Sequence, residues 1–351
     1  MEQETPQSPI KKRRVRYRGT HPRHFEEKYK ELQGECYSAD VNKVLERGQT
    51  PAGTHRPICV KEILSVLNLK PGKTGLDATL GYGGHAQEVL KLILPGGRLF
   101  GIDVDPIELP RTESRLRKLG FTEDNLTIRR MNFAGLPQLL SVAGGQFDFI
   151  LADLGVSSMQ IDTPSRGFSF KIDGPLDLRL NPSRGQPVSS LLKSLTVESL
   201  ADILLLNSDE PHSNLIAHAI FQSRNNINTT NQLANVIRDA LSEKKSRIPT
   251  DDIKKSQQRV FQALRILVND EFTVLDQFLS LLPTCLKPQG RVAILTFHSG
   301  EDRRVKKSFL NGFRTGIYKD ITREPMRPSS QERRANPRSS CAKLRWAERS
   351  F

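Results

Sequence analysis

The sequence predicts a doubly wound α/β fold, a parallel sheet with helices on both faces, interrupted by an all-helical insertion. Three observations carry this. Between Val60 and Ala152 short apolar runs alternate with stretches of helical spacing. Each apolar run is followed by turn residues, the punctuation of strands feeding turns. From about 165 to 256 strand patterns vanish and only helical spacing remains. Strands alternating with helices form βαβ units, and those build a parallel sheet.

The elements follow in order. Val60, Ile63, Leu64 and Leu67 share one helical face, and Pro71-Gly72 ends that helix. Thr74 to Leu80 is a strand running into a glycine-rich turn. Gln87 to Leu94 is the next helix, stopped by Pro95-Gly96-Gly97. Arg98 to Val104 is a second strand, Thr112 to Leu119 a charged helix, Leu126 to Arg130 a third strand and Phe147 to Ala152 a fourth. In the insertion, Leu200 to Leu206, Asn214 to Phe221 and Gln232 to Leu241 read as helices. Arg259 to Leu282 reads as one long amphipathic helix, with Phe261, Leu264, Val268, Phe272, Leu275, Phe278 and Leu282 on one side. Arg291 to Phe297 is a fifth strand.

Composition narrows the function. The 351 residues include 53 Lys+Arg and 39 Asp+Glu, for a net charge of +14. Residues 1–30 carry +5 and 303–351 carry +10, while 31–302 carry −1. A neutral body with basic ends suits a polyanionic partner, or else two solvated tails. The basic run Lys11 to Arg18 follows Glu2 and Glu4 with no apolar region, which excludes a secretory signal and argues against an organellar transit peptide. It reads as a nuclear signal, an RNA-contacting arm or a plain tail. The cysteines, at 36, 59, 285 and 341, form no C-x-x-C pair, so zinc ribbons and disulfide frameworks drop out. No apolar run approaches the ~20 residues of a membrane helix.

The sharpest local feature is Leu76-Asp77-Ala78-Thr79-Leu80-Gly81-Tyr82-Gly83-Gly84-His85. A strand ends, glycines admit close backbone approach, and a helix begins. A dinucleotide site wants G-x-G-x-x-G aimed at pyrophosphate. Here an acid precedes G-x-G-G-H, and an acid suits a ligand with a cationic amino-acid end and no phosphate, as S-adenosylmethionine has. The second strand ends at Asp103, placed to hydrogen-bond the hydroxyls of an adenosine ribose. Phe133, after the third strand, either flanks an adenine or is a core aromatic. The fourth strand ends in Asp153. A carboxylate there can accept N–H bonds from an exocyclic base amine and line its nitrogen up with a sulfonium methyl. The Pro-Pro-aromatic common after that position in amino-group methyltransferases is absent.

These motifs, in this order, resemble the RsmH/MraW family of S-adenosylmethionine-dependent methyltransferases. The resemblance covers about 54–351. It rests on Thr54-His55-Arg56-Pro57, Asp77 to His85, Asp103 to Pro106, Asp153 to Gln160, Arg166 to Phe170 and Asp173 to Arg179. It continues through Phe261 to Ile266, Val268 to Glu271, Phe297-His298-Ser299, Asn336-Pro337-Arg338 and Leu344-Arg345. It implies methylation of the exocyclic amine, N4, of a cytidine in small-subunit ribosomal RNA. It also implies a class I, Rossmann-like methyltransferase sheet with an inserted helical substrate domain. By match it assigns cofactor contacts to Gly83, Gly84, His85, Asp103, Phe133, Asp153 and Gln160. The chain departs from the family at Gly300, usually Leu, at Ser340, usually Arg, and in its longer extension 1–53.

The expected division is thus a basic extension over 1–53, the methyltransferase domain over 54–164 and 257–351, and a substrate-recognition insertion over 165–256. Asp153 is expected to orient the amine, with no metal. Asp173, Asp177 and Arg179 shape the base pocket or form an ion-pair corner. Arg265 and Asn269, on one helical face with Gln262, receive RNA or brace the crevice. His298 touches substrate or is structural. The expected partner is small-subunit ribosomal RNA or the small subunit, in the cytoplasm, or in a chloroplast or mitochondrion for a eukaryotic chain. The oligomeric state, a homodimer among the options, is not readable from the sequence. Alternatives are the same fold acting on another RNA, on DNA or on a small molecule, and a non-catalytic RNA-binding assembly factor.

Overall fold

A computed structural model describes residues 57–242 and 248–351. All of them belong to one compact unit, Arg56–Phe351. The extension 1–53, with its helical candidate at 25–32, and Thr54-His55-Arg56 lie outside the described residues.

The described strands form one seven-stranded sheet in the order β3-β2-β1-β4-β5-β7-β6. They are β1 (Thr74–Asp77), β2 (Arg98–Asp103), β3 (Leu126–Arg130), β4 (Phe147–Asp153), β5 (Leu286–Thr296), β6 (Tyr318–Ile321) and β7 (Lys343–Arg349). The first five run parallel, with Leu76 beside Phe100 on one flank and Ile150 on the other. β7 pairs antiparallel with β5 and with β6. The chain reverses direction across the sheet between β1 and β4, which opens a crevice at their carboxyl ends. One sheet face packs Leu76, Phe100, Phe147, Ile150 and Ile294 against helical residues such as Leu275, Phe278 and Leu282. The other packs Leu99, Phe149, Leu151 and Leu295 against Ile63, Leu67, Val89 and Ile93.

Helix α1 (Val60–Leu67) and β3 match the sequence reading. Helix α2 (Gly84–Ile93) begins three residues before the predicted start, because Gly83 at φ 74° supplies the left-handed residue ahead of it. A Cβ there would also lie 3.0–3.1 Å from Leu116, Arg115 and Thr112. Helix α3 (Glu108–Lys118) likewise starts earlier than predicted, and α4 (Leu136–Ala143) was not anticipated.

The predicted long helix from Arg259 to Leu282 is two helices, Thr250–Asn269 and Glu271–Cys285, broken at Asp270 with φ 50°. Asp tolerates this region better than most residues. The break divides the apolar stripe between two cores. Val260, Phe261 and Leu264 join the helical cluster with Leu200, Ile216, Ile220, Leu233 and Ile237. Leu275, Phe278 and Leu282 join the sheet.

Candidate active site

The crevice is built by four strand ends and one helix start. Asp153, the last residue of β4, is anchored through its backbone. Its N–H donates to the Thr79 hydroxyl at 2.6 Å, and the next amide, Leu154, donates to Leu295 of β5 at 2.9 Å. Its side chain lies beside His85, the second residue of α2, with Nε2···Oδ2 at 3.4 Å, an ion-pair distance too poorly aligned for a hydrogen bond. The other carboxylate oxygen, Oδ1, is buried and has no hydrogen-bond partner among the described residues.

Asp77, at the end of β1, is 2% exposed and accepts the Thr79 N–H at 3.1 Å. Burial pushes its carboxyl up to about 7, against the opposing pull of His85 and the Thr79 N–H. Asp103, at the end of β2, accepts from the amides of Gly81 at 2.8 Å and Asp105 at 2.9 Å. Burial raises its carboxyl too, with those two amides pulling the other way. A cleft lined by Asp77, Asp103 and Asp153 disfavours a pyrophosphate, which removes the dinucleotide reading of the glycine turn. It favours a ligand with a cationic amino end, which would relieve the cost of ionising Asp77. The residues present therefore fit S-adenosylmethionine. Phe133 lies in the turn after β3, half-buried, with its ring 4.9 Å from Phe278 and packed against the sheet core.

Gln160 is held by partners inside the protein. It is the third residue of the short helix Ser158–Asp162, and its Oε1 accepts the Ser157 N–H at 2.8 Å while Ser157 Oγ caps the helix in return. Its Nε2 donates to Asp105 Oδ2 at 2.7 Å. The same oxygen accepts from Arg166 at 2.7 Å, in a pair 1% and 6% exposed. Arg166 also donates to the Leu180 carbonyl at 2.8 Å. Asn269 then clamps the Leu178–Leu180 segment, accepting the Leu180 N–H at 2.7 Å and donating to the Leu178 carbonyl at 2.8 Å. Leu178 sits at φ 64°, a strained conformation for leucine that these bonds hold in place. A buried polar chain thus runs from Asp103 through Asp105 and Arg166 to the helical part of the molecule.

The remaining candidates are engaged in specific contacts. Asp173 caps the helix Thr230–Ser242, accepting from the Asn231 N–H at 3.0 Å and the Thr230 hydroxyl at 3.2 Å. These bonds, the Asn231 N–H foremost, hold its carboxyl below the usual range. Asp177 and Arg179 form a two-pronged ion pair at 2.7 and 2.8 Å, the corner arrangement rather than a pair of free groups. Arg265 is bidentate to Glu271 at 2.8 and 2.9 Å. His298 follows β5 with Nε2 3.1 Å from Glu301. Burial opposes ionisation of Glu301, but His298 and Arg265 hold its carboxyl below the usual range. A Cβ on Gly300 would lie 2.6 Å from the Phe272 ring, so this departure from the family pattern goes with close packing of Phe272.

Sequence reasoning missed the part played by Asp105, Arg166, Thr79 and Glu332. Asp105, in Asp103-Val104-Asp105-Pro106, carried a usable signal, since an acid before Pro and a helix commonly binds the next amides. It does so to Ile107 at 2.8 Å. Glu332, which accepts the Cys59 N–H at 2.9 Å across 273 residues, carried none.

A parallel sheet with its crevice at the β1/β4 switch, acids at three strand ends and a helical insertion define a class I methyltransferase that uses S-adenosylmethionine. The chain belongs to the MraW methylase family, whose model matches residues 52–350. Among curated relatives, "Ribosomal RNA small subunit methyltransferase H 2" of Alkaliphilus metalliredigens is 55% identical over 96% of this chain and 97% of its own. "Ribosomal RNA small subunit methyltransferase H 1" of Lachnoclostridium phytofermentans is 53% identical over 97% of this chain and 94% of its own. The relative from Acidobacterium capsulatum, 38% identical, aligns with 84% of this chain and 98% of its own.

Proposed function

We propose that the protein transfers a methyl group from S-adenosylmethionine to the exocyclic N4 amine of a cytidine in small-subunit ribosomal RNA. The observation that carries this reading is Asp153 Oδ1, a buried carboxylate oxygen with no described partner at the carboxyl end of β4. A cytosine amine has a delocalised lone pair and is a poor nucleophile. A fixed acceptor on its N–H favours the pyramidal geometry that attack requires. As the nitrogen gains positive charge its N–H becomes a better donor, so the contact strengthens on the way to the transition state. Asp77 holds the donor's amino end and Asp103 its ribose hydroxyls. The extra proton on nitrogen leaves to Asp153 or to water.

The substrate side rests on charge. Several cations of the C-terminal segment are paired, Arg345 and Lys343 with Asp302 and Arg338 with Asp162. Lys306, Lys307, Arg314, Arg333 and Arg334 stay exposed with no acidic partner among the described residues. They suit RNA phosphates, and bacterial relatives fit a cytoplasmic site of action. Among the described residues no helix is long and apolar enough to cross a membrane.

Transfer of a labelled methyl group to an unmodified small-subunit RNA fragment should fall steeply as salt rises from 50 to 200 mM, by about tenfold or more, as contacts to several phosphates require. Equal labelling of free cytidine, or transfer indifferent to salt, would contradict an RNA substrate.

A further inference from the structure

We infer that His85 is a positioning residue for methyl transfer, its imidazolium pairing with Asp153 Oδ2 so that the carboxylate is held with Oδ1 toward the amine. This rests on the reading of Asp153 as the amine's acceptor. The geometry is specific. Gly83 turns the chain into α2 so that His85 falls beside the end of β4, 7% exposed, with Nε2 3.4 Å from Asp153 Oδ2. Nε2 has no hydrogen-bond partner among the described residues, and neither has Asp153 Oδ1. A proton on Nε2 faces Asp153 Oδ2, and the charged ring adds the attraction of an opposite charge to that contact.

The groups facing His85 decide its charge. They are Asp153 from β4, Asp77 from β1 and Glu332 from the helix Ser330–Ala335. Burial disfavours the imidazolium, as does the positive end of α2. The three carboxylates prevail and hold His85 above its ordinary value. Between that value and the ordinary one the folded protein binds a proton the unfolded chain does not, so the pair's contribution is lost as pH rises through the folded value.

The ring nitrogens of His85 can be followed by NMR in full-length, cofactor-free protein. Its midpoint should fall by about one pH unit or more in Asp153→Asn, the effect of removing an opposite charge a few ångströms away. An unmoved midpoint would overturn the pairing. The single-turnover rate at saturating S-adenosylmethionine supplies the second readout. The rate should fall as pH rises through the His85 midpoint that NMR gives, and that limb should vanish in His85→Gln. A limb that persists in His85→Gln would overturn the positioning role. The two readings separate cleanly. A near-normal rate in Asp153→Ala defeats the acceptor assignment itself. A slow Asp153→Ala with that limb persisting in His85→Gln defeats only the inference about His85.

Discussion

Asp153→Ala lowers the single-turnover methylation rate ~100-fold or more at saturating S-adenosylmethionine, about the cost of losing one preorganised electrostatic contact. RNA affinity changes far less. The asymmetry follows from where the interaction grows. In the ground state the amine offers an ordinary N–H; in the transition state the nitrogen carries developing positive charge and donates more strongly to the carboxylate. The backbone of the variant should hold, since the Asp153 N–H to Thr79 and the Leu154 N–H to Leu295 do not depend on the side chain. Rapid-quench assays with enzyme in excess over RNA read the step directly. A near-normal rate would remove Asp153 from the chemistry and leave His298, which lies at the end of the neighbouring strand β5, to be tested next.

Arg166→Met costs about 3–5 kcal/mol of stability, because it strands the buried carboxylate of Asp105. Asp105 Oδ2 would keep only the Gln160 amide, and the carbonyl of Leu180 would lose its donor. Asp105→Asn combined with Arg166→Met should recover a substantial part of that loss, since it removes the unpaired charge. Urea midpoints of the two single variants and the double variant measure this. A loss under about 1 kcal/mol in Arg166→Met would mean water reaches Asp105 and the chain from Asp103 to the helical residues is not buried in solution. Cofactor affinity should weaken in parallel, because the Asp105 N–H fixes Asp103 Oδ1 at 2.9 Å.

Periodicity made the parallel half of the sheet readable. β1, β2 and β4 are short, apolar and ended by acids, so their carboxyl ends, and with them Asp77, Asp103 and Asp153, could be placed in one crevice from sequence. The antiparallel edge could not. β7 carries Lys343, Arg345, Glu348 and Arg349 in seven residues, which reads as a solvated tail. Its charges are satisfied by tertiary partners, Arg345 and Lys343 by Asp302 and Glu348 by Arg291, that no local pattern reveals. The break at Asp270 escaped for a related reason. The apolar stripe is continuous through it, and only the two separate cores show that one residue in a left-handed conformation redirects the chain. Among site residues, those at strand ends were legible by position. Gln160 came from the family resemblance and Asp173 as a base-pocket or ion-pair residue; their hydrogen bonds inside the protein were not legible, because those depend on Asp105 and on Thr230 and Asn231 far along the chain.

Digestion of small-subunit RNA labelled by the purified full-length protein, followed by mass spectrometry of the nucleosides, tests the central claim most directly. The account predicts a single methylated product, N4-methylcytidine, dependent on S-adenosylmethionine and lost with Asp153→Ala. A methyl group on the ring carbon C5, on a ribose hydroxyl or on a ring nitrogen would contradict it, because none of those acceptors offers an exocyclic N–H to Asp153 Oδ1.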